Sequence, residues 1–392
     1  MAKAKVRIRK RTWKTADGEE RQAWLLTYKK DGKRRFETFD KKKDAEDRGA
    51  IIIQELSLGT HTPLRDSKTV SEVWDMWIDH CRAEGLERGT LQQRQQHLIL
   101  HVAPFIGQRK LAELTTPGMN EFMDVLRDSG RSASMRRKVL TNVSAVLKFA
   151  QGRSLVSQNV AQSAARIKND GRDKAKLREG VDFPSRTEIK LLIDTAPKRW
   201  RPFFITAAFT GLRASELRGL PWNNVDLDKG VIHVRQRADK WGSLGPPKTK
   251  KGNRDIPLAP IVINALRQWK LVCPKGALNL VFPNDNGKPV LLQNFEKRVW
   301  SPLQLNCGLS VDTGEKDHDG KPILAHRYAF HMLRHAACSL FIAYLKWEPN
   351  KIQDVMGHSS IKMTFDLYGH LFGSVEADKA AMEAMEKAVT AA

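Results

Sequence analysis

The sequence predicts a multidomain chain, mainly α with small β-sheets: an N-terminal three-stranded sheet plus a helix, then a helical domain, then a mixed α+β domain. Three observations predict this. The chain has 392 residues, room for two or three domains at roughly 100 to 200 residues each. Its apolar period changes from alternation to a helical repeat near Val70. A polar, basic stretch at residues 166–183 then interrupts the pattern, as a linker does.

The elements follow in order. Val6 and Ile8 alternate with Lys5, Arg7 and Arg9, and the runs Trp24 to Tyr28 and Arg34 to Phe39 flank an Asp31-Gly32 turn, giving three strands. Lys41 to Leu56 is a run of helix formers, with Gly59 and Pro63 as its stop. From Val70 to about Ala165 the stripes Val70, Val73, Trp74, Trp77, Ile78 and Leu98, Val102, Phe105 mark helices, with Thr69 or Ser71 as N-cap. Two further helices span about Pro117 to Ser129 and Ser132 to Gln151. Ser185 and Glu188 have the spacing of a capping box that opens a helix after the linker.

Charge defines the class of partner. Lys and Arg number 67 against 44 Asp and Glu, a formal net charge of +23, and so large a surplus points to a polyanion. Composition alone does not separate DNA from RNA or from an anionic membrane surface. With 41% hydrophobic and 28% charged residues, wholesale disorder is excluded. Cys81, Cys273, Cys307 and Cys338 lie far apart with no CxxC pair, which suggests neither a disulfide framework nor a Cys-based zinc site and suits a reducing cytoplasm. The basic N-terminus precedes no apolar signal region, and no run of 18 apolar residues occurs, so a secreted or membrane-spanning protein is not expected.

Two basic clusters are candidate DNA contacts: Arg7, Arg9, Lys33, Arg34 and Arg35 on the sheet, and Arg131, Arg136, Arg137 and Lys138 where a helix starts. A major groove admits a β-ribbon as well as a helix. Cations at a helix N-terminus oppose the macrodipole, so the second cluster gains nothing locally. Either cluster also reads as an ordinary solvated face.

Four stretches carry chemistry. In Thr210-Gly-Leu-Arg-Ala-Ser-Glu216, Arg213 opens a short helix and Glu216, one turn on, can hold its guanidinium. Residues 247–258 read as a hairpin with Lys248 near its first strand and Gly252-Asn253 in the turn; Lys250 and Lys251 lie close by. His331-Met-Leu-Arg-His335 places His331 and Arg334 on one helical face, and the pair His331, His335 raises a zinc site, but the glutamate of HExxH is absent. Finally, Met356 to Leu371 presents His358 at a loop-to-helix junction and Tyr368 ten residues on. Taken singly, each has a bland structural reading.

Together, in the order Arg213, Lys248, His331-x-x-Arg334, His358, Tyr368, and with the local contexts TGLRxSEL, HMLRHA and GHSSIKMTFDLYGHL, they resemble the tyrosine recombinases, the integrase family of phages and other mobile elements. The likeness is strong over residues 184–372 and looser over 67–165. It implies an arm-type DNA-binding domain at 1–66, a helical core-binding domain at 67–165, a linker at 166–183, and a mixed α+β catalytic domain at 184–392 ending in a helix. It implies a site-specific DNA recombinase, an integrase acting through a 3′-phosphotyrosyl intermediate in the cytoplasm of a bacterial host. Tyr368 would be the nucleophile, Arg213 and Arg334 the phosphate clamp, and His358 a further donor. His331 would assist proton transfer, and Lys248 would be the general acid, with Lys250 its rival.

The resemblance implies no cofactor and no metal. As partners it implies double-stranded DNA attachment sites, a homotetramer on DNA and, as accessory proteins, a directionality factor and a DNA-bending protein. A type IB topoisomerase and a non-catalytic DNA-binding protein remain alternatives. Residues 308–325 form a polar insertion that the shortest family members lack. Ala381, Ala384, Met385 and Ala388 make a C-terminal stripe of the kind that packs on a neighbouring protomer in this family.

Overall fold

The computed structural model describes residues 5–30, 32–57, 61–165, 167, 177–369, 372, 382, 383 and 385. The chain forms two compact units, Met1–Asp173 and Lys174–Ala392.

In the first unit, strands β1 (Arg7–Lys14), β2 (Glu20–Lys30) and β3 (Lys33–Phe39) form an antiparallel meander in the order β1-β2-β3. Lys30 pairs with Lys33, and Gly32, just before Lys33, lies at φ 77°; Asp31 lies outside the described residues. Helix α1 (Lys42–Ser57) covers one face, and Leu26, Tyr28 and Ile52 make a small core. Gly49 permits the approach: a Cβ there would lie 3.3 Å from Val6 Cγ1. Gly59, the expected stop, is outside the described residues.

The same unit holds the helices α2 (Val70–Ala83), α3 (Arg88–His97), α4 (Ala103–Ile106), α5 (Thr116–Asp128) and α6 (Ala133–Gly152). Thr69, rather than Ser71, caps α2, accepting from Glu72 N while the Glu72 carboxylate accepts from Thr69 N. The stripe Val70, Val73, Trp74, Trp77, Ile78 is buried as expected. Phe105 is not; it is 39% exposed and Ile106 takes its place in the core. The cause is a π-helical turn at Leu98–Val102, whose wider turn rotates every later side chain away from the 3.6-residue register.

The second unit opens with α7 (Arg186–Thr195), capped by the Ser185/Glu188 box, then α8 (Arg201–Thr210) and α9 (Ala214–Arg218). Strands β4 (Val225–Asp226), β5 (Val231–Val234), β6 (Arg237–Ala238), β7 (Leu244–Gly245) and β8 (Arg254–Pro257) follow. They form a β4-β5-β8 sheet and a separate β6-β7 pair. The hairpin expected over residues 247–258 is therefore absent. β8 pairs with β5 instead, and a 3₁₀ turn at Lys250–Gly252 leads into it. Pro246 and Pro247 have no backbone N–H to donate and stop β7 from extending into a second ladder.

Helices α10 (Pro260–Val272), α11 (Leu292–Phe295), α12 (Ser301–Asn306), α13 (Met332–Ala343), α14 (Pro349–Met356) and α15 (Ile361–Tyr368) complete the unit. The polar insertion folds as an exposed antiparallel hairpin, β9 (Ser310–Lys316) with β10 (Pro322–His326). The core is rich in aromatics: Phe203, Phe204, Phe295, Trp300 and Phe330 pack ring to ring between α8, α12 and the start of α13. That core fixes α8 and α13, whose ends carry the site. Most of the linker (166, 168–176) and Ala381, Ala384 and Ala388 of the C-terminal stripe lie outside the described residues; Met385 is exposed.

Candidate active site

Two helix ends organise the site. Helix α8 ends at Gly211 and α14 at Gly357, both in the left-handed conformation, at φ 61° and 64°. A Cβ at Gly211 would lie 2.9 Å from Met356 Sδ, and one at Gly357 would lie 3.0 Å from Arg254 Nη1. Glycine is therefore needed at both places for conformation and for space. The turn-closing carbonyls accept from two arginines. Arg334 donates through Nη1 to Gly211 O at 2.5 Å and through Nη2 to Met356 O, while Arg213 Nη2 donates to Gly357 O at 2.7 Å. Cations at helix C-termini also meet the negative end of the macrodipole.

Arg213 begins α9, and Glu216 holds it twice. The carboxylate accepts from Arg213 N at 3.0 Å and from Nη1 at 2.7 Å. Arg254, on β8, donates to the same carboxylate from Nη1 (3.1 Å) and Nη2 (2.8 Å), and from Nε to Val355 O at 2.6 Å. Burial alone would raise the Glu216 carboxyl; the hydrogen bond and charge of Arg254, joined by Arg213, hold it down at about 2. Arg334 is buried, and desolvation followed by repulsion from Arg213 lowers it to about 9, still cationic at neutral pH.

His358 follows Gly357 and is buried, with Nδ1 3.0 Å from Thr364 Oγ1. Burial, then Arg334 and Arg213, push it down to about 3, so the ring is neutral. His331 precedes the first residue of α13 without a side-chain capping bond and is exposed at the surface; partial desolvation, then Arg334 and Arg213, hold it below its ordinary value. Tyr368 ends α15, is 1% exposed, and meets His335 Nδ1 and Cys338 Sγ through its hydroxyl. Burial first, then the neighbouring thiol, raise it well above the ordinary phenol value.

The structure thus joins Arg213, Arg334, His331, His358, Tyr368 and the supporting Glu216 through shared hydrogen bonds and short-range charge. Lys248 stands apart: it is exposed on the loop after β7, and among the described residues no hydrogen bond ties it to this network. Nothing is described of the Lys250 side chain. The His331 and His335 rings meet edge to face at 5.1 Å, and among the described residues no group of three His, Cys, Asp or Glu side chains is placed to hold a metal.

Three participants escaped the sequence reading. Arg254 shares the inward face of β8 with Ile256, two positions on, and a charge at such a position signals a buried pair. In the sequence, the i, i+4 spacing of His335 from His331 points only to a metal pair, and Cys338, one turn along the same helix, carries no signal beyond its lack of a CxxC partner.

Of the DNA candidates, Arg7, Arg9, Lys33, Arg34, Arg131 and Lys138 are exposed. Arg136 and Arg137 are half-buried on α6. Arg35 is half-buried and paired with Asp66, Nη2 to Oδ2 2.8 Å, so part of its charge is already spoken for.

Residues 185–374 match the model of the Phage integrase family, and residues 69–126 match the Phage integrase N-terminal SAM-like domain. The chain belongs to the phage integrase family. Among its relatives, the prophage integrase IntR of Escherichia coli K12 is 24% identical over 335 residues, covering 80% of this chain and 79% of the relative. The fold is shared with solved structures of the family. The Tn1549 transposon integrase in complex with transposon right end DNA superposes with a TM-score of 0.63 at 20% identity, over 81% of this chain and 100% of that one. A lambda integrase tetramer bound to a Holliday junction does so with 0.55 at 16% identity, over 89% and 95%.

Proposed function

We propose that the chain is a site-specific DNA recombinase that integrates or excises a mobile element by transesterification through a 3′-phosphotyrosyl intermediate. The observation that carries this reading is the convergence of two glycine-capped helix ends on Arg213 and Arg334, beside His331, His358 and the hydroxyl of Tyr368. Planar guanidinium groups suit the two non-bridging oxygens of a phosphodiester. Neutral His358 would donate a third hydrogen bond through Nε2, its Nδ1 being taken up by Thr364.

In the step, Tyr368 gives up its phenolic proton to a neighbouring histidine as its Oη bonds to phosphorus and the P–O5′ bond breaks. The 5′ oxygen takes a proton from Lys248, whose exposed loop would close on DNA. The phosphotyrosyl link keeps the bond energy, so rejoining needs no nucleotide cofactor. Residues 1–66 would bind arm sites and 67–165 core sites, with 166–183 as the tether and 184–392 as the catalytic domain. Double-stranded attachment sites are the substrate, and a homotetramer would synapse two of them, as the lambda integrase assembly on a Holliday junction suggests.

A nicked suicide duplex spanning the junction between the element and its chromosome tests the reading. Wild type should leave a denaturation-resistant adduct and Tyr368→Phe none. An adduct at the wild-type level from Tyr368→Phe would refute the assignment. Strand exchange between two duplexes would distinguish a recombinase from a topoisomerase.

A further inference from the structure

Two groups touch the hydroxyl of Tyr368, His335 Nδ1 and Cys338 Sγ, and they lie one turn apart on α13. Resting on the reading above, in which Tyr368 is the nucleophile, we propose that His335 is a further catalytic residue, which takes the phenolic proton as Tyr368 attacks and returns it on rejoining.

A phenol must release its proton as its oxygen bonds to phosphorus, and Tyr368, at 1% exposure, has little access to water as acceptor. It does not ionise beforehand, because burial raises its pKa. Cys338 is a poor acceptor: burial pushes its thiol up to about 12, and a neutral thiol accepts weakly. His335 is neutral, brought down to about 4 by burial, then by His331 and Arg334. With its proton on Nε2, its Nδ1 lone pair faces the hydroxyl.

The groups that face His335 make it a base that strengthens with substrate. They are Arg334 and His331 on its own helix, Tyr368 on α15, and His358 on the loop after α14. A phosphodiester anion between Arg213 and Arg334 would offset the cationic charge that depresses the imidazole, so its proton affinity would rise when DNA is bound. Exposed His331, edge to face with His335 at 5.1 Å, offers the next station toward solvent. The step balances: the Oη–P bond forms, the P–O5′ bond breaks, the phenolic proton passes to His335 Nδ1, and O5′ takes a proton from Lys248. Rejoining reverses each transfer. His331, the residue expected from sequence to assist Tyr368, thereby becomes the outer member of a pair.

The full chain, reacted in single turnover with the junction suicide duplex, provides the test. His335→Ala should form adduct slower by a factor of about 10² to 10⁴. His335→Asn places an amide where Nδ1 stood, able to hydrogen-bond the hydroxyl but not to take its proton, and should be as slow. Replacing Tyr368 by 3,5-difluorotyrosine, a markedly more acidic phenol, should shrink both defects.

Three results would overturn the proposal: a wild-type rate for His335→Asn, which would make the role one of positioning; a rate within about threefold of wild type for His335→Ala; or a defect that fluorination leaves unchanged. If the alanine variant does not fold, the asparagine variant decides. Adduct formation by Tyr368→Phe would bring down the underlying reading as well, whereas a dead Tyr368→Phe beside a fast His335→Asn removes only this inference.

Discussion

Arg254 grips Glu216 with both terminal guanidinium nitrogens, at 3.1 and 2.8 Å, and so immobilises the carboxylate that orients Arg213. The pair is buried, with Glu216 2% and Arg254 8% exposed. Removing Arg254 leaves the buried carboxylate with Arg213 as its remaining counterion, so the loss lies toward the lower end of the about 3 to 5 kcal/mol expected for a broken buried pair. Arg254→Ala should therefore lower the unfolding free energy by about that amount, read as a fall in the denaturant midpoint at unchanged slope. Arg254→Lys, which cannot form the two-pronged bond, should slow adduct formation at least about tenfold. Its DNA affinity should be nearly unchanged, because Arg254 is too buried to meet a phosphate.

Acid should expose the same pair. Glu216 is held at about 2 in the folded chain, against 4.5 ordinarily. A depressed carboxyl stabilises the fold fully above its unfolded pKa, and that contribution fades as pH falls from about 4.5 toward about 2. Its full size is about 3 kcal/mol at 1.36 kcal/mol per unit. Urea midpoints of the wild type should fall steeply across that interval, and those of Glu216→Gln, already low, should fall less.

The glycine caps make a third prediction. Gly357→Ala forces a side chain into the left-handed region, at about 1 to 2 kcal/mol, and also into contact with Arg254. Gly320→Ala, at φ 77° on the insertion hairpin, meets nothing within 4 Å. Both should lose thermal stability. Only Gly357→Ala should lose adduct formation disproportionately, since only there does the new methyl displace an arginine that the site depends on.

Lys248 and Lys250 can be separated through the leaving group. A lysine that protonates the 5′ oxygen is dispensable when sulfur replaces that oxygen, whereas a charge clamp is needed whichever atom leaves. Lys248→Ala should cleave an ordinary duplex far more slowly than wild type, yet cleave a 5′-bridging phosphorothiolate nearly as fast. Lys250→Ala should show neither effect. The opposite pattern would exchange their roles.

On the N-terminal sheet, neighbouring arginines should behave differently. Arg34 is exposed, while Arg35 is half-buried and paired with Asp66. If both face DNA, Arg34→Ala should reduce the slope of log affinity against log salt by about 0.9. Arg35→Ala should reduce it by less, because its counterion is a carboxylate that the protein retains. Filter binding of the full chain over a salt series reads the difference.

Much of this organisation was legible in the residues. The stripe around Trp74, the Ser185/Glu188 cap and the β1-β2-β3 meander follow from period, capping chemistry and turn residues, which act locally. The order of Arg213, His331, Arg334, His358 and Tyr368 was legible as a pattern. What failed depended on distant partners. The π turn at Leu98–Val102 shifted Phe105 out of the core, and β8 paired back to β5 rather than forming a local hairpin. Arg254 and His335 were obscure for the same reason: each is defined by a residue far along the chain, Glu216 in one case and Tyr368 in the other.

The acceptors that hold Arg213 and Arg334 across the helix ends are main-chain carbonyls of Gly211, Met356 and Gly357. A carbonyl is common to all residues, so substitutions among neighbouring side chains cannot delete it. Sequence drift can then reshape the surroundings of the two arginines without loosening the hold of the backbone on their guanidinium groups. The exceptions are the two glycines, whose replacement changes the path of the backbone itself. Tolerance to mutation around this site should accordingly be broad and shallow, broken by two deep minima at positions 211 and 357, a profile that saturation mutagenesis would display directly.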